Sequence, residues 1–125
     1  MKRSRQLIPT EHQEQSAVIA WAEVMKSQFP ELAYLYACPN GGKRHVVVAM
    51  KMKREGVKSG VPDLFLPVKK SFASGFYIEM KRKGGVVSAD QERWKLFLQS
   101  QGFRVVVCWS ADEAIRELEL YLEVI

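Results

Sequence analysis

Cysteine and histidine are scarce in this chain, two of each in 125 residues. Cys38 and Cys108 lie singly inside apolar segments, which excludes a disulfide scaffold or a four-cysteine zinc site and suits a reducing cytoplasm. His12 and His45 have no partner at metal-ligand spacing and neither resembles a nucleophile's base, so neither is given a chemical role. Long hydrophobic runs are also missing. The longest, such as Val105 to Trp109, have the length of a strand, far short of a membrane span. The opening MKRSRQLIPT is basic but lacks the apolar region of a secretory signal. No internal repeat and no linker interrupt the chain. It reads as a basic arm over 1–9 and one domain over 10–125.

What is present is a globular balance, 47% hydrophobic and 26% charged, with a net charge of +5. The positive charge is concentrated. Lys43, Arg44, Lys51, Lys53, Arg54 and Lys58 face a single acid, Glu55, and that stretch carries the whole excess, because the rest of the chain balances. A basic surface on an otherwise neutral domain fits a polyanion. The same charges also fit a solvated helix face. Lys51-Met52-Lys53-Arg54 lacks the aromatic anchors of an interfacial helix, which argues against a membrane as the partner.

The order of elements follows from capping signals and periodicity. Thr10-Glu11-His12-Gln13 is a capping box that opens a helix near Glu11, with Val18, Trp21, Ala22 and Met25 at helical spacing. Leu32 to Cys38 reads as a short strand, and Pro39-Asn40-Gly41-Gly42 as a turn. Two readings compete for the segment before Gly56. Its valines favour a strand, whereas Ala-Met-Lys-Met-Lys-Arg-Glu followed by glycine favours a helix with a C-terminal cap; both stay open, with the helix the preferred reading. Val61-Pro62 leads into a strand at Asp63–Leu66, and Phe76–Arg82 forms the next. Ser88-Ala89-Asp90-Gln91 is a second capping box, starting a helix with Trp94, Phe97, Leu98 and Gln101 in register. Phe103–Trp109 has the continuous apolar pattern of a strand covered on both faces. Ser110 caps a last helix with the stripe Ala114, Ile115, Leu118, Tyr121 and Leu122. The three tryptophans, Trp21, Trp94 and Trp109, fall on apolar stripes and read as core. The resulting order, αβαββαβα, describes one mixed sheet flanked by helices.

The chemistry centres on Asp63 and Glu79-Met80-Lys81. Side chains alternate along a strand, so Glu79 and Lys81 share a face with Tyr77. If the two strands pair as a hairpin, Asp63 at the start of the first comes beside Glu79 and Lys81 at the end of the second. Two carboxylates meeting there make a hard-oxygen site suited to Mg²⁺ or Mn²⁺. A cation held this way polarises a phosphodiester and activates water, and a neighbouring lysine can orient that water or balance developing charge. A Glu-x-Lys pair alone is common on surface hairpins. Its interval from Pro62-Asp63 and the basic stretch just upstream give it weight.

Gly60-Val61-Pro62-Asp63, Tyr77-Ile78-Glu79-Met80-Lys81 and Ser88-Ala89-Asp90-Gln91, in this order, resemble the PD-(D/E)xK nuclease superfamily. More narrowly they resemble its stand-alone VRR-NUC (virus-type replication-repair nuclease) domains of phages and bacteria. Pro39-Asn40-Gly41-Gly42-Lys43-Arg44 and Glu55–Gly60 add to the likeness, which runs from about Glu11 to Tyr121. The resemblance implies a restriction-endonuclease-like α/β core. It makes Asp63, Glu79 and the backbone carbonyl of Met80 metal ligands, and Lys81 the catalytic lysine. It also implies a glutamate from the first helix. Glu14 is chosen because positions 14, 18, 21 and 25 share one helical face, while Glu11, one turn earlier, stays open. Gln91 matches a position near the metal and is also the third residue of a capping box, so both roles stay open. Gln15 is expected either to support the site from behind or to pack the helix. Lys43 and Arg44 are expected to contact phosphates with Asn40 shaping their loop, and Lys51, Lys53, Arg54 and Lys58 to track the backbone rather than read bases.

The activity so implied is Mg²⁺- or Mn²⁺-dependent, structure-selective DNA endonuclease cleavage, at Holliday junctions or other branched DNA. The likeness of stand-alone members to junction resolvases implies a homodimer, with no small-molecule cofactor and no membrane, working in the cytoplasm of a bacterial host cell. The alternative is a non-catalytic nucleic-acid-binding module on the same scaffold. A base-reading restriction-type enzyme is less well supported, since no segment offers an evident set of base-contacting side chains.

Overall fold

The computed structural model describes residues 7–41 and 45–124. Helix α1 spans Glu11–Met25 and begins at the expected capping box, in which the Thr10 hydroxyl accepts from the Gln13 N–H at 3.1 Å and Gln13 Oε1 accepts from the Thr10 N–H at 2.9 Å. Pro30 then starts a 3₁₀ turn over Pro30–Tyr34, leaving only Tyr36–Ala37 as strand β1. The strand expected over Leu32–Cys38 is therefore helical turn over its first three residues and strand only at Tyr36–Ala37. Proline fits the first position of a helical turn, where no N–H is needed, and Leu32 goes into the core from that turn.

The segment that could have been strand or helix is helix α2, Val46–Arg54, capped by the His45 side chain accepting from the Val47 N–H. None of its residues is buried, and among the described residues it packs on no other helix or strand. Strands β2 (Leu64–Leu66) and β3 (Phe76–Met80) form the anticipated antiparallel pair, with Leu64 opposite Ile78 and Leu66 opposite Phe76. Helix α3 (Ala89–Ser100) crosses over to β4 (Arg104–Cys108), which lies parallel to β3, and α4 (Ala111–Glu123) ends the fold. The sheet order is β1-β2-β3-β4, with the outer pairings β1–β2 antiparallel and β3–β4 parallel.

One face of this mixed sheet carries the core. Leu64, Leu66, Phe76, Ile78, Met80 and Cys108 cluster with Val18 and Ala22 of α1 and with Ala114, Leu118, Tyr121 and Leu122 of α4. By alternation, Phe65 and Tyr77 project from the other side, where they stack at 4.2 Å between centroids and meet Phe103. Strand β4 is less enclosed than its valines suggest. It is an edge strand, Val106 and Val107 are half-buried, and Trp109 beyond its end is 40% exposed. On α3 only Leu98 is buried, whereas Phe97 is 56% exposed and Trp94 half-buried. Of the tryptophans, Trp21 packs against the core as expected, and Trp94 and Trp109 do not. Among the described residues no helix is long and apolar enough to cross a membrane.

Candidate active site

Register brings the two sheet acids together. Leu64 sits opposite Ile78, so the preceding Asp63 falls across from Glu79, where the hairpin opens toward α3. Asp63 Oδ2 accepts from the Met80 N–H at 2.7 Å, which holds the carboxylate against β3. On its other side the β1–β2 pairing runs one residue further, with the Cys38 N–H donating to the Asp63 carbonyl at 2.8 Å. That bond delivers the following turn to the site, where Asn40 Nδ2 donates to Asp63 Oδ1 at 2.7 Å. Asn40 was expected to shape a phosphate-binding loop. Its contact is with the acid itself.

Glu79 is 4% exposed. Its Oε1 accepts from Gln91 Nε2 at 3.0 Å. Gln91 completes its capping box at the same time, with Oε1 accepting from the Ser88 N–H at 2.8 Å and its own N–H donating to the Ser88 hydroxyl. The amide has an acceptor end and a donor end, so one residue both starts α3 and holds the acid; the two readings of Gln91 are compatible. Burial pushes the Glu79 carboxyl up to about 9, helped by the charge of Asp63 and a hydrogen bond to it, while Lys81 opposes the shift. Lys81 is 6% exposed, anchored by its N–H donating to the Cys108 carbonyl.

The acid that reaches this cluster from α1 is Glu11. Its Oε1 lies 3.8 Å from Lys81 Nζ, and it lines a small cleft of about 180 Å³ together with Asn40, Gly60, Asp63, Glu79 and Gln91. Glu14, chosen from the helical face, is elsewhere: its Oε2 accepts from the Ala111 N–H at 2.8 Å, satisfying an orphan donor at the start of α4. The expectation for Glu14 is thus corrected. The face shared by positions 14, 18, 21 and 25 points at α4 as well as at the sheet, and α4 takes the carboxylate. Gln15 is half-buried on α1 and makes no side-chain hydrogen bond among the described residues. Lys43 and Arg44 lie outside the described residues. Lys51, Lys53, Arg54 and Lys58 are all exposed.

Gly60 locks the cleft to α3. At φ +93° it adopts a backbone that side chains disfavour, and a Cβ there would sit 2.6 Å from the Asp90 carbonyl carbon. Burial and the nearby Asp63 charge push the thiol of Cys38, beside the site, up to about 11, which disfavours a reactive thiolate in the metal-free protein.

Among the described residues no three Asp, Glu, His or Cys side chains form a ready-made metal cage. The donors present still suit a divalent cation that retains water. Two carboxylates converge in a cleft where burial first, and the neighbouring Asp63 charge second, disfavour the ionised form of Glu79, so a cation would relieve both costs. All the candidate donors are hard oxygens, the kind Mg²⁺ and Mn²⁺ prefer.

A family model of the VRR-NUC domain matches residues 2–112. A solved structure described as a VRR_NUC domain protein is similar over 94% of this chain and 91% of that one, with a TM-score of 0.78 and 27% identity. No curated protein matches the chain.

Proposed function

The chain belongs to the VRR-NUC domain family, within a nuclease superfamily, and on that premise we propose that it is a divalent-metal-dependent endonuclease acting on branched DNA. The observation that carries the reading is the convergence of Asp63 and Glu79 across the β2–β3 pair, with the buried Lys81 two residues beyond Glu79. In this reading Asp63, Glu79 and the Met80 carbonyl hold the cation, and Glu11 takes the place first given to Glu14. When bound, Mg²⁺ or Mn²⁺ supplies Lewis-acid polarisation of the phosphoryl oxygen and lowers the pKa of water. Asn40 and the Met80 N–H fix the Asp63 carboxylate before substrate arrives, and Gln91 fixes Glu79. Lys81, steadied by Glu11, orients the attacking water or offsets charge growing on the phosphate. Lys51, Lys53, Arg54 and Lys58, with Lys43 and Arg44, track the DNA backbone.

Two copies related by a two-fold axis would set two such sites against two strands, the arrangement a Holliday junction requires. The proposed setting is the cytoplasm of a bacterial host cell.

The test is incubation with labelled single strand, duplex, flap, fork, splayed-arm and four-way-junction DNA in Mg²⁺, Mn²⁺ or EDTA. Branched substrates are expected to be cut with either ion and left intact in EDTA. Lys81→Ala is expected to slow cutting by about 100-fold or more while DNA binding holds. Absence of cutting with both ions, which a pure binding module would give, or a Lys81→Ala variant as fast as wild type, overturns the reading.

A further inference from the structure

Beside the proposed active site runs a second, larger groove that the hydrolytic chemistry does not use. It measures about 590 Å³, within the range of roughly 300–1,000 Å³ that accommodates a small-molecule-sized group. Its floor and one wall are α3, with Trp94 and Phe97 one turn apart on the same helix face. Lys53 of α2 and Lys58 of the following loop line the opposite side, and Arg93, paired with Asp90 at 3.0 Å, completes the rim. Ser59 lines both this groove and the acidic cleft, and Asp90 is the immediate neighbour of Gln91. The groove therefore lies next to the cleft that holds Asp63 and Glu79.

Trp94 and Phe97 have the spacing of core residues, yet Phe97 is 56% exposed and Trp94 half-buried. Among the described residues α2 packs on no other element and does not close over these two rings. Aromatic faces combined with lysines at the rim suit one chemistry in particular: nucleobases stacked on the rings, with the phosphates that link them held by the ammonium groups. Bases inside a continuous duplex are stacked on each other and cannot reach such rings. A second copy of the chain is a poorer occupant, since a self-complementary contact would bring Lys53, Lys58 and Arg93 toward their own like charges.

We propose that the α2–α3 groove binds unpaired nucleotides, with Phe97 and Trp94 as stacking platforms and Lys53 and Lys58 as phosphate contacts. It thereby directs the nuclease to DNA with a single-stranded stretch next to the cut. This deepens the nuclease reading and takes its substrate from it.

The test is binding of the full chain in EDTA, so that no cutting is needed. The probes are a labelled thymidine oligonucleotide of about 12 nucleotides, an abasic strand of equal length and a blunt duplex. Wild type is expected to prefer the thymidine strand to the abasic one. In Phe97→Ala the ratio of single-strand to duplex affinity is expected to fall about ten-fold, the scale of one lost stacking contact, and Phe97→Tyr is expected to retain it. Equal affinity for thymidine and abasic strands, or an unchanged ratio in Phe97→Ala, overturns the groove. So does a wild-type dimer that Phe97→Ala dissociates with no change in strand preference, because a second copy is then the occupant. A protein that shows the fall in ratio but cuts no DNA keeps the groove and loses the nuclease reading, so the two failures are distinct.

Discussion

Two glutamates one helical turn apart on α1 do different jobs. Glu11 reaches Lys81 and the acidic cleft, whereas Glu14 bonds the Ala111 N–H and ties α1 to the start of α4. Glu11→Gln is expected to slow cutting at least ten-fold with an unchanged melting temperature, the outcome for a group that steadies Lys81 from a half-exposed position. Glu14→Gln removes a charged cap worth about 1 kcal/mol, so Tm should fall by roughly 3–6 °C with cutting per folded molecule retained. Thermal melts and single-turnover rates on both variants check this. A stable Glu14→Gln protein that has lost cutting would restore Glu14 to the site.

Glu79 makes a second residue-scale prediction. Its folded-state pKa of about 9 stands above the usual 4.5. Below about pH 4 both folded and unfolded chains keep the proton and nothing is lost. Between there and pH 9 the unfolded chain releases a proton that the folded one retains, so metal-free stability falls as pH rises through this window. Glu79→Gln carries no such penalty. At pH 8 and without metal it is expected to be more stable by about 1–3 kcal/mol, roughly 3–10 °C in Tm. The advantage should vanish near pH 4, and Mg²⁺ should stabilise wild type but not the variant. A pH series of melts in EDTA and in Mg²⁺ decides, and an advantage that does not grow with pH refutes the assignment.

At the scale of elements, the capping boxes at Thr10–Gln13 and Ser88–Gln91 were legible because their signal is local: one hydroxyl and one amide, three residues apart. Helix α2 was legible through its glycine stop. Strand β1 was overestimated, because Leu32–Tyr34 has strand composition but follows Pro30, which starts a 3₁₀ turn. The stripe on α3 misled in the opposite direction. Helical periodicity marks a face and says nothing about how much of it a partner element covers, and here Leu98 is buried while Trp94 and Phe97 are not. The loop before β2 depends on Gly60, whose positive φ and contact with the Asp90 backbone press the Asp63 strand onto α3. Gly60→Ala is expected to cost about 2–4 kcal/mol through strain and overlap. A drop of roughly 5–15 °C in Tm should accompany reduced cutting even where the protein is still folded. Calorimetry checks this, and a wild-type Tm would show that the loop has room to shift.

At the scale of the whole molecule, the sequence by itself determined the order αβαββαβα and the location of the net positive charge. Those properties rest on period, caps and counts that a chain carries wherever it goes. The meeting of Asp63 and Glu79 was legible on the condition that the two strands pair, because few registers keep Leu64, Leu66, Phe76 and Ile78 on one buried face. Tertiary structure alone decided which α1 glutamate faces the cleft, that Asn40 grips Asp63 across 23 residues, and that Phe97 is left exposed with Trp94 half-buried beside it. Each of these depends on where a distant element packs. A side chain's partner is set by the distance between elements, which no local pattern encodes.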